Sequence, residues 1–292
     1  MTDAGSPALN AEEVPIAKAI GRVLAEALTP GDPLAGTLAK GTRLNARHAP
    51  QLAAAGRPSV RVFQKLKVGV LTLADSADPP ADDDPGRSTP NLVGPTLAAG
   101  LESLGAAAIA APRVHGDATA VCSVLDMLLN ECAVVLVAGN ASASRQQQLH
   151  QALSARGASP VDWMLCDELG ARLSVATVRD KVVVCMPRGL AESFMAFVLL
   201  VSPLIRRLQG RSHLLPARRT ATVQRADAPG PFCEQFLWAH ESGTRSDLSV
   251  RPLSACPIDA ISHSDGIVHC MPVTSSEERR ELQYFAYASW LQ

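Results

Sequence analysis

Between Lys67 and Pro187 the chain carries a series of short apolar runs with almost no polar alternation. They are KVGVLTLA (67–74), AAAIAAPRV (106–114), AVVLVAG (133–139), and ARLSVATV with KVVVCMP (171–187). A strand with one wet face alternates apolar and polar residues. Runs apolar on both faces belong to strands covered on both sides, the pattern of a parallel sheet between helices. The intervening stretches LVGPTLAAGLESLG, ATAVCSVLDMLLNE and SRQQQLHQALSARG have helical spacing, as does LAESFMAFVLLVSPLIRRLQG after the last run. This order predicts a doubly wound, mostly parallel α/β domain over residues 67–212. Pro203 should bend or interrupt the final helix, because it lacks an N–H and crowds the preceding turn.

The flanks read differently. In residues 14–28, Ile16, Ala19, Ile20, Val23, Leu24 and Ala27 fall at helical spacing with Lys18, Arg22 and Glu26 opposite, which predicts one amphipathic helix. TPGDP breaks it, and a loop, a short helix from about Ala46 to Ala55 and a strand follow. Residues 1–66 thus form a lead-in too small for its own core. Residues 213–292 show short polar strands with turns at APG, ESGTR and HSDG, a small β-rich domain. The stretch SADPPADDDPGRSTP (76–90) is an exposed loop after the first central strand.

A net charge of -1, from 27 basic and 28 acidic residues, leaves no basic excess for a nucleic-acid backbone. No run of about 18 apolar residues appears, and MTDAGSPALNAEE lacks the pattern of a signal peptide, so a cytoplasmic protein without a membrane span is expected. Cys122, Cys132, Cys166, Cys185, Cys233, Cys256 and Cys270 include no CxxC pair and no zinc spacing. They read as mostly buried, reduced thiols, and no metal site is expected.

Ligands of open parallel sheets bind beyond the carboxyl ends of the strands. Three segments occupy that position: the loop opened by Asp75, the turn Gly139-Asn140-Ala141-Ser142, and Pro187-Arg188-Gly189. The small residues of the second let backbone N–H groups approach a phosphate or carboxylate at a helix start. The same turn also reads as a plain strand-to-helix connection with Ser142 or Ser144 as N-cap. Asp75 is either a site carboxylate or an ordinary loop residue, and Arg188 either a phosphate clamp or a solvated cation. Asp82-Asp83-Asp84, flanked by prolines, reads as a solvated linker rather than a cation site. His115, His150 and His213 read as surface groups with no nucleophile beside them. His263 and Asp265 lie in ISHSDG, where Asp-Gly predicts a hairpin.

The order of segments resembles the molybdopterin molybdotransferases, the MoeA type that includes the gephyrin E-domain. The resemblance rests on VPIAKAIGRVLAEALTP, GTRLNARHAPQLAAAGRPSVRVFQKLKVGVLTLAD, PNLVGPTLAAGLESLGA, AVVLVAGNASAS, VVVCMPRGLAESFMAFVLLVSPLIRRLQG and PLSACPIDAISHSDGIVHCMP, in family order along most of the chain. It implies a protein of molybdenum-cofactor synthesis that binds molybdopterin or its adenylylated form, with Mg2+ and molybdate as further ligands. A homodimer, other cofactor-synthesis proteins and a recipient molybdoenzyme are the implied partners. On the matching positions it implies Asp75 as the catalytic residue, and Ser88, Asn91, Gly139, Asn140, Ser142, Pro187, Arg188 and Gly189 as ligand-binding residues.

The chain departs from the family pattern at several of these positions. Where the family has Thr-Gly-Asp-Glu, Leu73-Ala74-Asp75-Ser76 keeps only the aspartate. Where it has Ser-Gly-Gly-x-Ser-x-Gly-x-x-Asp, residues 138–147 run AGNASASRQQ and end in Gln147. Its Lys-Pro-Gly-Lys-Pro falls near Glu168-Leu169-Gly170-Ala171-Arg172, and its Pro-Gly-Asn-Pro near Pro187-Arg188-Gly189-Leu190. The inserted second domain, with its Asp-Asn-Ser-Ala-Met-Asp-Gly motif, has no counterpart between Thr29-Pro30-Gly31-Asp32 and Gly41. Glutamine neither takes a proton nor binds a metal as aspartate does, and two lysines that would offset phosphate charge are gone. Three functions therefore compare: a molybdotransferase-type cofactor-synthesis protein, a non-catalytic pterin-binding or scaffold protein, and a pterin adenylyltransferase-like enzyme.

Overall fold

The computed structural model describes residues 10–28, 37–74, 92–114, 118–139, 143–166, 171–187, 189–215, 217–224, 235–244, 247–252, 261–270 and 279–287. The N-terminal segment holds β1 (Ala11–Pro15), α1 (Ile16–Ala19), α2 (His48–Ala54) and β2 (Ser59–Phe63), with β1 antiparallel to β2. The helix expected over 14–28 shrinks to the single turn α1. Gly21 sits at φ +82°, a left-handed conformation that stops a helix, and its N–H bonds the Leu44 carbonyl at 2.8 Å. Beyond it the chain is extended, with Val23, Leu24 and Leu28 bridging Arg43, Val62 and Leu38. Of the six residues at helical spacing, Ala19, Val23 and Leu24 are buried and Ile16 half-buried, while Ile20 is 40% exposed and Ala27 is exposed too; Leu28, outside that set, is buried. Ala19, Leu24 and Leu28 pack with Leu44, Leu52, Val60 and Val62 into a small core, so the segment read as too small for a core of its own has one.

The central sheet is assembled from β3 (Lys67–Thr72), β4 (Ala107–Ala110), β5 (Val134–Ala138), β6 (Val161–Cys166), β7 (Ala171–Val178) and β8 (Lys181–Cys185), in the order β4-β3-β5-β8-β7-β6. Strands β4, β3, β5 and β8 run parallel, β7 is antiparallel to β8, and β6 is antiparallel to β7. The mostly parallel sheet follows the sequence pattern, whereas β6 was not anticipated. It is an edge strand whose first residue, Val161, is 56% exposed.

Each central strand feeds two cores. Val68, Val70, Val134, Leu136, Val184 and Met186 face α3 (Val93–Ser103) and the last helical segments. Leu71, Leu73, Val135, Val137, Val183 and Cys185 face α4 (Ala118–Glu131) and α5 (Ala143–Ser154). Both faces are therefore dry, which is why these runs show no alternation.

The final helix changes register at Pro203. It runs as α6 (Leu190–Ala196), a π-helical turn at Phe197–Val201, and α7 (Ser202–Leu208). The widened turn accommodates the proline, which has no N–H for the i→i−4 ladder. It also carries fully buried Phe197 onto Gly100 of α3.

Strands β9 (Arg219–Gln224), β10 (Gln235–Thr244), β11 (Asp247–Pro252), β12 (Gly266–Cys270) and β13 (Arg279–Ala286) close into a barrel ordered β10-β11-β9-β13-β12. Ala221, Val223, Ala239, Val268, Leu282 and Tyr284 pack together within it. The ISHSDG segment is not the expected hairpin. Residues 261–263 make a helical turn, and β12 pairs with β10 and β13 instead. Asp265 pins this junction. Its carboxylate accepts the Glu241 N–H at 2.9 Å and lies 2.7 Å from His240 Nδ1. The barrel joins the α/β core through stacked Phe194 and Trp238, 5.9 Å apart, with Tyr287 tilted against both.

A Cβ at Gly100 would lie 2.7 Å from two ring atoms of Phe197. Gly100→Ala gains up to about 1 kcal/mol of helix propensity. The overpacked ring costs about 1–3 kcal/mol, so net destabilisation is expected in urea unfolding. Adding Phe197→Leu to Gly100→Ala should recover part of the loss, because the smaller side chain removes the clash.

Candidate functional site

The chain passes from β3 to β4 on one side and then returns to β5 on the other, so the sheet's switch point lies between β3 and β5. In sheets of this kind a crevice opens there beyond the carboxyl ends. The Leu73 N–H bonds the Ala138 carbonyl at 2.9 Å, and the Met186 N–H bonds that of Val137 at 2.7 Å. On the far side Ala74 N–H reaches the Val114 carbonyl at 2.9 Å. These bonds hold Ala74, Gly139 and Pro187 along one edge, so the stubs of all three segments singled out by their sequence lie side by side.

Gly139 adopts φ +75°, and a side chain there would run into the Leu73 carbonyl oxygen. Only glycine lets the chain turn this tightly between β5 and α5 while lying against β3. The third segment is anchored by Ser193, a buried residue whose hydroxyl donates to the Pro187 carbonyl at 2.8 Å. Gly189 is the N-cap of α6, and the Glu192 carboxylate packs over its Cα where a side chain would otherwise sit. That carboxylate complements the positive end of α6 from within the chain.

Of the residues proposed from sequence, Gly139, Pro187 and Gly189 are placed at this edge. Asp75, Ser88, Asn91, Asn140, Ser142 and Arg188 lie outside the described residues, as do His115 and the Asp82-Asp83-Asp84 run. Gln147, at the position of the family's aspartate, is exposed on α5. Sequence reasoning passed over two groups here. Glu192 sits over Gly189, and half-buried Arg113 directly precedes Val114, which bridges Leu73. A charge within the last residues of an apolar run, or in a helix's first turn after a glycine, is the signal that would have found them.

No nucleophile is activated among the neighbouring side chains described. His150 Nε2 lies 3.3 Å from Ser174 Oγ and 3.8 Å from Asp162 Oδ1, so a single ring nitrogen faces both partners. A base oriented by a carboxylate uses its two nitrogens for the two tasks. Ser174 is itself buried. Burial pushes the Cys185 thiol up to about 11, while the Ser174 hydroxyl acts in the opposite direction, so the thiolate is scarce at neutral pH. Cys132, Cys185 and Cys270 are buried and Cys122 half-buried; the side chains of Cys166, Cys233 and Cys256 lie outside the described residues. Among the described residues, no group of three or more His, Cys, Asp or Glu side chains could hold a metal ion. No helix among them is long and apolar enough to cross a membrane.

The sequence matches no protein-family model. It matches no curated protein either. Its structure is similar to that of a molybdopterin biosynthesis MoeA protein from Pyrococcus horikosii, with a TM-score of 0.76 at 16% identity, covering 96% of this chain and 95% of that one. A MoeA structure from Pyrococcus horikoshii OT3 matches with a TM-score of 0.70 at 14% identity, over 94% and 95% of the two chains. A molybdenum cofactor biosynthesis protein from Pyrococcus furiosus gives 0.64 at 18% identity, over 94% and 92%. The chain therefore has the fold of MoeA-type molybdopterin biosynthesis proteins along nearly its whole length.

Gly139→Ala should cost about 1–3 kcal/mol, through strain at positive φ and the lost approach to β3. Thermal unfolding checks this. A neutral effect would mean that the turn is not held as described.

Proposed function

We propose that this protein works in molybdenum-cofactor biosynthesis and binds molybdopterin or its adenylylated form at the carboxyl edge of the central sheet. The observation that carries the reading is the Gly139 turn, pressed against β3 at the switch point of a MoeA-type fold. The residues present suit a pterin phosphate: a tight turn of small residues opens α5, whose N-terminus favours negative charge. In this reading Asn140 and Ser142 offer backbone and hydroxyl donors to the phosphate. Ser88, Asn91 and Arg188 complete the shell, and Asp75 is the residue positioned for proton or metal chemistry. The residues assigned divide the chain into a lead-in at 1–66, the binding domain at 67–212 and the barrel domain at 213–292.

Two observations favour a binding role over turnover. Gln147 replaces a carboxylate that would hold a metal, and Glu192 already occupies the end of α6. Mg2+ and molybdate would then add little to affinity. A pterin adenylyltransferase-like activity would instead show as ATP-dependent labelling of the pterin.

Calorimetric titration of the full chain tests the proposal, with molybdopterin and its adenylylated form, each with and without Mg2+ and molybdate. Micromolar binding that is lost in Ser142→Arg is expected. Absence of binding under every condition would overturn the reading, and turnover of the adenylylated pterin that disappears in Asp75→Ala would overturn the non-catalytic part of it.

A further inference from the structure

At the amino edge of the central sheet the N-terminal segment meets the α/β domain through two facing glycines. The Cα of Gly105, just past α3, lies against the Gly21 carbonyl oxygen, an approach that a side chain there would block. That contact draws the neighbours of both glycines together. Arg22 follows Gly21, and its guanidinium is ion-paired with Glu12 and donates through Nη2 to the Phe63 carbonyl at 2.8 Å. Leu104 precedes Gly105, and its carbonyl accepts Gln209 Nε2 at 3.0 Å together with Arg211 Nη2. Gln209, at the end of α7, is 4% exposed, and the Arg22 side chain 11%.

Each of these two side chains keeps one polar atom without a protein partner. Arg22 Nε and Gln209 Oε1 are buried, and neither has a hydrogen-bond partner among the described residues. The amide orientation is fixed, because turning it over would set Oε1 against the Leu104 carbonyl. Buried donors and acceptors are nearly always paired, since an unmet one loses its hydration without replacement. A small cleft opens at this contact, with Arg22, Phe63, Lys65, Gly105 and Gln209 in its lining. Its free space is about 10 Å³, room for one water-sized group.

The chemistry of the two atoms selects the occupant. It must accept a hydrogen bond from Arg22 Nε, donate one to Gln209 Oε1, and be no larger than the space. A chloride ion has no proton to donate, an ammonium ion has no lone pair to accept with, and a polyatomic oxyanion is too large. Water meets all three conditions. We infer that a single ordered water fills this cleft and bridges Arg22 to Gln209. It completes a chain of polar contacts that runs from Glu12 of β1 through Arg22, the water and Gln209 to the carboxyl end of α3. The N-terminal segment is thereby tied into the hydrogen bonding of the α/β domain, and the bridge does not depend on the pterin reading of the opposite edge.

Nuclear magnetic resonance of the full chain with isotope-labelled arginine tests this inference, the Arg22 Nε signal being identified by its loss in Arg22→Lys. A cross-peak from Arg22 Hε to water is expected, with the sign of a bound rather than a freely tumbling molecule. Gln209→Met keeps the length of the side chain and removes its acceptor, so it should abolish that cross-peak. It should also lower the melting temperature by about 2–4 °C. An Arg22 Hε without a water cross-peak, or one whose cross-peak persists in Gln209→Met, overturns the inference. A crystal structure of the unaltered chain gives an independent reading. A water within hydrogen-bond distance of both atoms is expected there, and direct contact between Arg22 Nε and Gln209 Oε1 would contradict the bridge.

Discussion

Strand β3 is hydrogen-bonded to a parallel neighbour on each side and buried on both faces, and the rest of the structure hangs on that double confinement. A strand so placed has no edge to present and no polar face to wet, so two helical layers must cover it. The parallel pairing in turn forces each connection to cross the sheet. This sends β4 to one side and β5 to the other and leaves a switch point between β3 and β5. The carboxyl edge is a by-product of that arrangement. Leu73, Ala138 and Met186 carry the last backbone bonds of three adjacent strands, so the ends of those strands lie side by side.

What the edge can do follows from which groups it retains. Gly139 supplies shape, by letting backbone approach backbone, and shape alone favours binding without assigning a reaction. The aromatic stack of Phe194, Trp238 and Tyr287 fixes the barrel to the same core that carries this edge.

The central domain was legible because burial on both faces leaves an unmistakable mark in sequence, as in AVVLVAG and KVVVCMP. Helix α4 coincides with ATAVCSVLDMLLNE for the complementary reason, a clean 3.6-residue period. The N-terminal helix failed because the apolar pair Val23 and Leu24 suits a helix face and a bridged extended segment alike. Only Gly21 decides between them, and its left-handed geometry shows once Leu44 is seen beside it. Strand β6 was missed because an edge strand lacks the two-sided apolar mark, and HSDG misled because Asp-Gly favours hairpins locally while Asp265 is recruited by β10. At the site, chain order disclosed the loops, but Glu192 over Gly189 is a tertiary contact with no sequence period.

The central claim is that the carboxyl edge is where a pterin binds, and hydrogen exchange of the full chain with and without molybdopterin tests it most directly. Slowed exchange at Leu73, Ala74, Gly139 and Gly189, with the barrel strands unchanged, is the result the account predicts. Protection confined to the barrel, or an edge whose exchange does not respond to saturating ligand, would contradict it.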